Sequence, residues 1–264
     1  MKFHHALVTG ASSGIGLIFA RELAKQGTAI VLVARREEFL KQIAIELSEK
    51  YSIKCTVLKA DLSVPGEAHR IRKFCEEHQF PIDLLVNNAG RGVWGDFSEI
   101  NLAANLETMD LNMRALTELT GEMFPLLKKR PSALINIAST AAFQAIPTFA
   151  VYAATKSYVL SFSRALHHEW KPFGIHVTAV CPGGTDTAFM IEAKMGHVMP
   201  LTHKYLMSPE RVVKASLLAV KKNQIEVVPG IFNWVGSKLA RFSHRCLTEI
   251  LIGKIFRLSQ KTVA

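Results

Sequence analysis

Strand–helix alternation across the first 230 residues predicts an α/β fold, one doubly wound parallel sheet of about seven strands with helices on both faces. Three observations carry that expectation. Short β-branched runs recur along the chain, and they are nearly continuously apolar, as strands covered on both faces are. Each run is followed by a helical pattern, and neither a linker nor an internal repeat divides the chain. In order, the strands are expected at 6–8, 29–33, 56–58, 84–86, 133–137, 176–180 and 225–228. The helices are expected at about 14–26, 36–50, 65–79, 101–128, 150–171 and 208–222. Residues 1–230 thus read as one α/β domain and 231–264 as a basic amphipathic helical tail.

Composition narrows the function classes. The 264 residues are 49% hydrophobic and 20% charged with 16 Gly and 10 Pro, which excludes collagen-like, low-complexity and disordered chains. Formal net charge is +10, and 231–264 holds six Lys/Arg against one Glu, so half of the surplus sits in the tail. A basic tail on a nearly balanced body is not a nucleic-acid footprint, and no such partner is expected. Cys55, Cys75, Cys181 and Cys246 form no Cys-x-x-Cys and are expected as reduced thiols of a cytoplasmic protein. The opening apolar run is too short for a signal peptide. The uncharged stretch 131–155 is interrupted by Asn136, Ser139, Gln144 and Pro147, which fits a strand and polar loop better than a membrane span. Ten histidines include two adjacent pairs, His4-His5 and His167-His168, but no metal-ligand spacing, so no metal is expected.

The first strand runs into Thr9-Gly10-Ala11-Ser12-Ser13-Gly14-Ile15-Gly16, which opens a helix. Gly10 permits a tight turn, Gly14 lets backbone approach a pyrophosphate, and Gly16 allows close helix–sheet packing; the helix N-terminus offers free N–H groups to the anion. The context predicts a Rossmann-type dinucleotide site. No acid stands at the end of the second strand to hold ribose hydroxyls; Arg35 stands there instead, with a planar fork suited to a 2′-phosphate. NADP(H) is therefore expected, and Arg36 reads as a solvated residue at a helix start.

Tyr152 and Lys156 lie one helical turn apart on one face. A Tyr that exchanges protons near neutrality needs its pKa of about 10 lowered by roughly 3, about 4 kcal/mol. An adjacent ammonium in a dry site supplies much of that. Ser139 ends the fifth strand 13 residues before Tyr152, and Asn112 lies 27 residues before Ser139. With Asn87-Asn88-Ala89-Gly90 after the fourth strand and Pro182-Gly183-Gly184-Thr185-Asp186-Thr187 after the sixth, the set resembles the short-chain dehydrogenase/reductase family over about residues 3–230.

The resemblance implies roles position by position. Tyr152 would be the general acid–base; Lys156 would lower its pKa and hold the nicotinamide ribose. Ser139 would hydrogen-bond the substrate oxygen, and Asn112 would anchor a water linking Lys156 to solvent. Ser12, Ser13 and Ile15 belong to the pyrophosphate turn. Asp61 and Leu62 would meet the adenine, while Asn88, Ala89 and Gly90 would support the central sheet and the cofactor. Pro182, Gly183 and Thr185 would lie against the nicotinamide end, and Thr187 would bind the carboxamide; Asn87 reads as structural. One slot departs from the pattern. Many NADP-preferring members carry a basic residue just before the final Gly-x-Gly, where this chain has Ser13, so Arg35 would bear the 2′-phosphate nearly alone and the preference would be partial.

Downstream of Thr187, Phe189-Met190-Ile191, Met195-Gly196-His197-Val198-Met199 and Leu206-Met207 suggest an adaptable apolar pocket or lid. Arg91-Gly92-Val93-Trp94-Gly95 is expected to line the opposite wall. The expected substrate is a hydrophobic carbonyl compound or secondary alcohol. In the tail, Val235, Leu239, Phe242, Cys246 and Ile250 share a helical face, and Lys238, Arg241 and Arg245 another. After Gly253, Ile255 and Leu258 are apolar and Lys254, Arg257 and Lys261 basic, with Trp234 and Phe256 beside them. This pattern suits peripheral contact with an anionic membrane and equally suits packing on the domain or on a second copy. The resemblance implies a homo-oligomer through the helices carrying Asn112 and Tyr152. A catalytically idle dinucleotide sensor on the same fold is the rival reading; epimerase or dehydratase chemistry would need a larger second domain than this length allows.

Overall fold

A computed structural model describes residues 1–193 and 206–242, with side chains to Ala240. Seven parallel strands lie in the order β3-β2-β1-β4-β5-β6-β7. They are β1 His5–Thr9, β2 Ala29–Ala34, β3 Cys55–Lys59, β4 Leu84–Asn87, β5 Ser132–Ile137, β6 Ile175–Val180 and β7 Glu226–Val227. Alternate residues of one strand enter different layers, which is why the strands read as unbroken apolar runs. Ala6 and Val8 pack with Phe19, Leu23, Leu40 and Val213 on one face. Leu7, between them, packs with Ile71, Leu119, Met123 and Leu166 on the other.

The first face is covered by α1 Gly14–Ala24, α2 Glu37–Tyr51 and α8 Pro209–Lys221. The second is covered by α3 Glu67–Glu77, α5 Leu116–Leu127 and α6 Ala150–Glu169. The register Leu7↔Val31 and Leu7↔Leu85 sets β2 and β4 on either side of β1. The order in which strands are added to the sheet therefore reverses between β1 and β4, and their carboxyl ends open the crevice where doubly wound sheets bind ligands.

Two expected elements differ. The helix expected at 101–128 is interrupted: α4 Leu102–Met109 passes through a wide π turn, Asp110–Ala115, before α5. The wide turn carries Asn112, whose amide is bonded away from the helix to Arg91 and Thr155. The last strand shrinks to two residues, paired to β6 through Ala179↔Glu226 and Val180↔Val227; Pro229 has no N–H with which to extend the ladder.

Short elements complete the carboxyl edge: a 3-10 turn Thr140–Phe143, the four-residue α7 Phe189–Glu192, and α9 Ile231–Phe242, which packs against that 3-10 turn. Val235 and Leu239, which sequence reading put on one apolar face for either a membrane or a protein contact, are both exposed. The helix is seated instead through Ser237, which is buried, with Asn233 and Ala240 half-buried on the same side. Close approach to Gly183 admits only small side chains there. Residues 195–199, Arg245, Cys246 and everything later in the tail lie outside the described residues.

Candidate active site

The carboxyl ends of β1, β4, β5 and β6 and the turns that follow them surround a cavity of ≈ 610 Å³. At one end is the glycine turn. Gly10 (φ +63°) and Gly14 (φ +54°) adopt left-handed backbone that favours glycine. A side chain at Gly16 would fall on the Gly10 carbonyl, and one at Gly14 would press on Thr187 at 3.3 Å, so the first and sixth strand ends meet only because both residues are bare. Thr9, which sequence reading passed over, closes the base of the turn: its hydroxyl accepts from the backbone N–H groups of Asn88 and Ala89, both at 3.0 Å. The Asn88 amide donates back to the Thr9 carbonyl at 2.9 Å.

Both arginines after β2 line the cavity, as do Ser12, Ser13, Asp61 and Leu62. Arg36 is exposed at the start of α2, as expected, and it also reaches back to the glycine turn. The Arg36 guanidinium bridges Ser12 Oγ at 3.0 Å and Ser13 Oγ at 2.8 Å, and it stacks over the Phe39 ring. Ser13 thus recruits a cation from 23 residues away in sequence. Arg35 faces Asp61: burial pulls the Asp61 carboxyl up, but two hydrogen bonds from Ser63 and the Arg35 charge leave it below its usual range.

At the other end Tyr152, Lys156 and Ser139 line the same cavity, with Tyr152 and Lys156 both buried. Their position is fixed from below by a chain of buried amides and hydroxyls. Asn87 on β4 donates to Thr120 Oγ1 and Asn136 Oδ1, Asn136 donates to Ser163 Oγ, and Ser163 sits on α6 two turns beyond Lys156. This accounts for Asn87 as structural and adds Asn136 and Ser163, buried polar groups on apolar-looking elements. Such networks, when fully bonded, hold one packing geometry.

Lys156 Nζ donates to the Ile137 carbonyl at 2.8 Å and lies 5.7 Å from the Tyr152 ring centre. Asn112 Oδ1 accepts from Arg91 N and its amide donates to Arg91 O and Thr155 Oγ1. Gly90 keeps a gap between the two: a Cβ there would stand 3.1 Å from Asn112 Oδ1 and 3.4 Å from Lys156 Nζ. Ser139 caps the 3-10 turn, accepting from Ala141 N at 3.1 Å, while its hydroxyl reaches the Pro182 carbonyl at 3.5 Å. Pro182, Gly183, Thr185 and Thr187 complete this edge of the cavity.

The electrostatics run opposite to the expected depression of Tyr152. Burial pushes its hydroxyl up to about 12, opposed only by the Ser139 hydroxyl, and burial brings Lys156 down to about 8. The cause is apolar packing: Tyr152 stacks on Phe149 at 4.2 Å and lies 5.4 Å from Phe189. A lowered amine makes the fold sensitive to pH. Between about 8 and 10.5 the unfolded lysine holds a proton that Lys156 has shed, so stability rises with pH there. Thermal unfolding of wild type against Lys156→Met is expected to show wild type gaining from pH 8 to 10, by about 3 kcal/mol at most. A constant difference over that range contradicts a lysine buried in this way.

The wall opposite α7 also differs from expectation. Residues 91–95 do not line the cavity; Gln144, Ile146 and Phe149 do, and the 91–95 segment backs them. Gly92 lies where a Cβ would meet Tyr152 Cδ2 at 2.8 Å, and Trp94 is buried with Phe149 and Met190. Phe189, Met190 and Leu206 line the cavity as expected, and Asn233 of α9, which sequence reading did not single out, joins them. Among the described residues no three His, Cys, Asp or Glu side chains are grouped to hold a metal ion.

A glycine turn at the switch point of a doubly wound sheet, sharing one cavity with a buried Tyr and Lys, defines a dinucleotide-type oxidoreductase fold. The chain belongs to the short-chain dehydrogenase family, whose sequence profile matches residues 4–196. Over 258 residues it is 30% identical to a very-long-chain 3-oxoacyl-CoA reductase-like protein of Arabidopsis thaliana, covering 95% of this chain and 76% of that one. The short-chain dehydrogenase from Sphingobium yanoikuyae, solved in complex with NADPH, superimposes with a TM-score of 0.81 at 30% identity, covering 90% of this chain and 94% of that chain. The bulky-bulky ketone specific alcohol dehydrogenase from Comamonas testosteroni does so with a TM-score of 0.77 at 28% identity, covering 91% and 93%.

Proposed function

We propose that this protein is an NADP(H)-dependent reductase of hydrophobic ketones, working through Tyr152. The observation that carries the reading is the shared cavity, with the Arg36 guanidinium on Ser12 and Ser13 at one end and the buried Tyr152–Lys156 pair at the other. The residues fit the cofactor: Gly10 and Gly14 line the cavity at the start of α1, and Arg35 and Arg36 line the same end with cations suited to a 2′-phosphate. Gly10, Gly14, Arg35 and Arg36 would hold the adenylate half, and Gly90, Lys156, Gly183 and Thr187 the nicotinamide half. When bound, the nicotinamide supplies or accepts the hydride.

The chain's own residues handle the proton. A Tyr152 hydroxyl held near 12 stays protonated at neutral pH, so the resting site is loaded to donate to a carbonyl oxygen. Ser139 shares that oxygen as charge develops on it. Lys156 would return a proton to Tyr152 and regain one from solvent through a water that Asn112 would hold across the gap at Gly90. Oxidation of an alcohol demands the deprotonated phenol, so it would need a higher pH than reduction does. Phe149, Phe189, Met190 and Leu206 suit an apolar substituent on the carbonyl, in keeping with the acyl and bulky-ketone names of the relatives. The test is a panel of ketones, aldehydes and secondary alcohols with NADPH, NADP and NADH. NADPH-dependent reduction of bulky apolar ketones supports the reading; cofactor binding with no turnover of any compound supports the idle sensor.

A second reading concerns the tail, where Ile231, Phe232, Val235 and Leu239 of α9 are exposed, Phe232 at 91%. No helix among the described residues is long and apolar enough to cross a membrane. With six basic residues to one acid in 231–264, this face suits an anionic lipid surface. Full-length protein is expected to float with anionic vesicles and Phe232→Ser to float less; equal recovery of both ends this reading.

A further inference from the structure

We infer that Arg114 is a positioning residue that joins the nucleotide end of the cavity to the proton relay: its guanidinium ties the loop of Asp61 to the π turn that carries Asn112. The inference rests on the reductase reading above, which it deepens by naming what holds the two ends of the site in step.

Three facts carry it. First, every nitrogen of the guanidinium has an acceptor. Nε donates to Asp110 Oδ1 at 3.2 Å, Nη1 to Glu118 Oε2 at 2.8 Å and Nη2 to the Ser63 carbonyl at 2.6 Å. Asp110 opens the π turn and Glu118 lies beyond it in α5, so the side chain braces the turn across its whole length. Second, the Ser63 carbonyl belongs to the loop that holds Asp61 in the cavity wall, since Ser63 N and Oγ both donate to Asp61 Oδ1, at 3.0 and 2.6 Å. Third, the same π turn serves the cavity and the relay together. Leu111 lines the cavity and packs in the layer of Leu62, while Asn112 bonds Arg91 and Thr155, the residue before Lys156. Helical i, i+4 pairs such as those of Arg114 with Asp110 and Glu118 contribute little by themselves. The bond to Ser63, 51 residues away in sequence, is what makes the brace a tie between segments. A π turn carries a surplus residue that an ordinary helix does not accommodate, so loosening the brace shifts the register that aims Leu111 and Asn112.

A purely structural brace predicts something different: its loss would lower stability and harm every kinetic step alike. The experiment therefore takes wild type, Arg114→Gln, Asn112→Ala and the double variant through three measurements. These are affinity for 2′,5′-ADP (the adenylate half alone), kcat for NADPH-dependent ketone reduction, and the solvent deuterium isotope effect on kcat. Arg114→Gln is expected to weaken 2′,5′-ADP about fivefold through the loosened Asp61 loop. It is expected to lower kcat about tenfold with a larger isotope effect, because proton return becomes slow. In the Asn112→Ala background the same substitution is expected to change kcat by less than about twofold, since its route to the relay is already gone. Losses that multiply in the double variant, an unchanged isotope effect or an unchanged 2′,5′-ADP affinity overturns the role of Arg114 and leaves the reductase reading standing. A wild type that reduces no compound of the panel overturns both. If the Gln variant fails to fold, Arg114→Lys, which keeps the charge and loses the planar fork, decides by the same three measurements.

Discussion

Tyr152→Phe is expected to abolish ketone reduction by about 10²–10⁴-fold in kcat while leaving NADPH affinity nearly unchanged. The ring keeps its stack on Phe149 and its edge toward Phe189, so the substitution removes one buried hydroxyl and little packing. On the proposed reading, what disappears is the proton donor, with Ser139 left to stabilise an oxygen it cannot protonate fast enough. The wild-type pH profile gives a second readout with a definite sign. Reduction needs the phenol protonated, a condition met well past neutrality with the hydroxyl near 12. Proton return through Lys156 fails once that amine, near 8, has lost its own proton. Reduction is therefore expected to hold level to about pH 8 and decline above it, while alcohol oxidation climbs with pH. A variant that keeps more than a tenth of wild-type turnover would mean that another group supplies the proton.

Arg36→Ala is expected to raise KM for NADPH by about ten- to hundredfold and that for NADH by no more than about threefold. The range reflects loss of a charge-assisted fork to a phosphate, partly compensated by Arg35. Arg36 is held against Ser12 and Ser13 and over Phe39, so its fork is positioned before a ligand arrives. Arg35 shares its charge with Asp61, and Arg35→Ala is expected to do less. Steady-state kinetics with both nucleotides on the two variants settles the order. A larger loss from Arg35→Ala would return the 2′-phosphate to the residue that the sequence alone favours.

That exchange between neighbouring arginines illustrates which features sequence can carry. The strand ends were legible because an unbroken apolar run is what a strand buried on both faces requires, and the glycines because only they fit the backbone at positions 10 and 14. Tyr152 and Lys156 were legible because four residues is one helical turn. By contrast, sequence favours Arg35 over Arg36 by position alone, and only the folded chain shows that Arg36 reaches the Ser12 and Ser13 hydroxyls. Asn112 was placed in a long helix, yet the π turn that delivers it comes from bonds to Arg91 and Thr155, partners 21 and 43 residues away.

Local spacing and residue chemistry alone determined the run of strands and helices, the glycine turn and the helix face shared by Tyr152 and Lys156, since each depends on interactions within a few residues of chain. Tertiary structure decided the rest: the raised Tyr152 and lowered Lys156, the backing rather than lining role of 91–95, and the arrival of Asn233 from the tail. Each of those depends on how far burial strips water from a group and on which distant segment fills the space beside it, and neither is encoded by neighbours along the sequence.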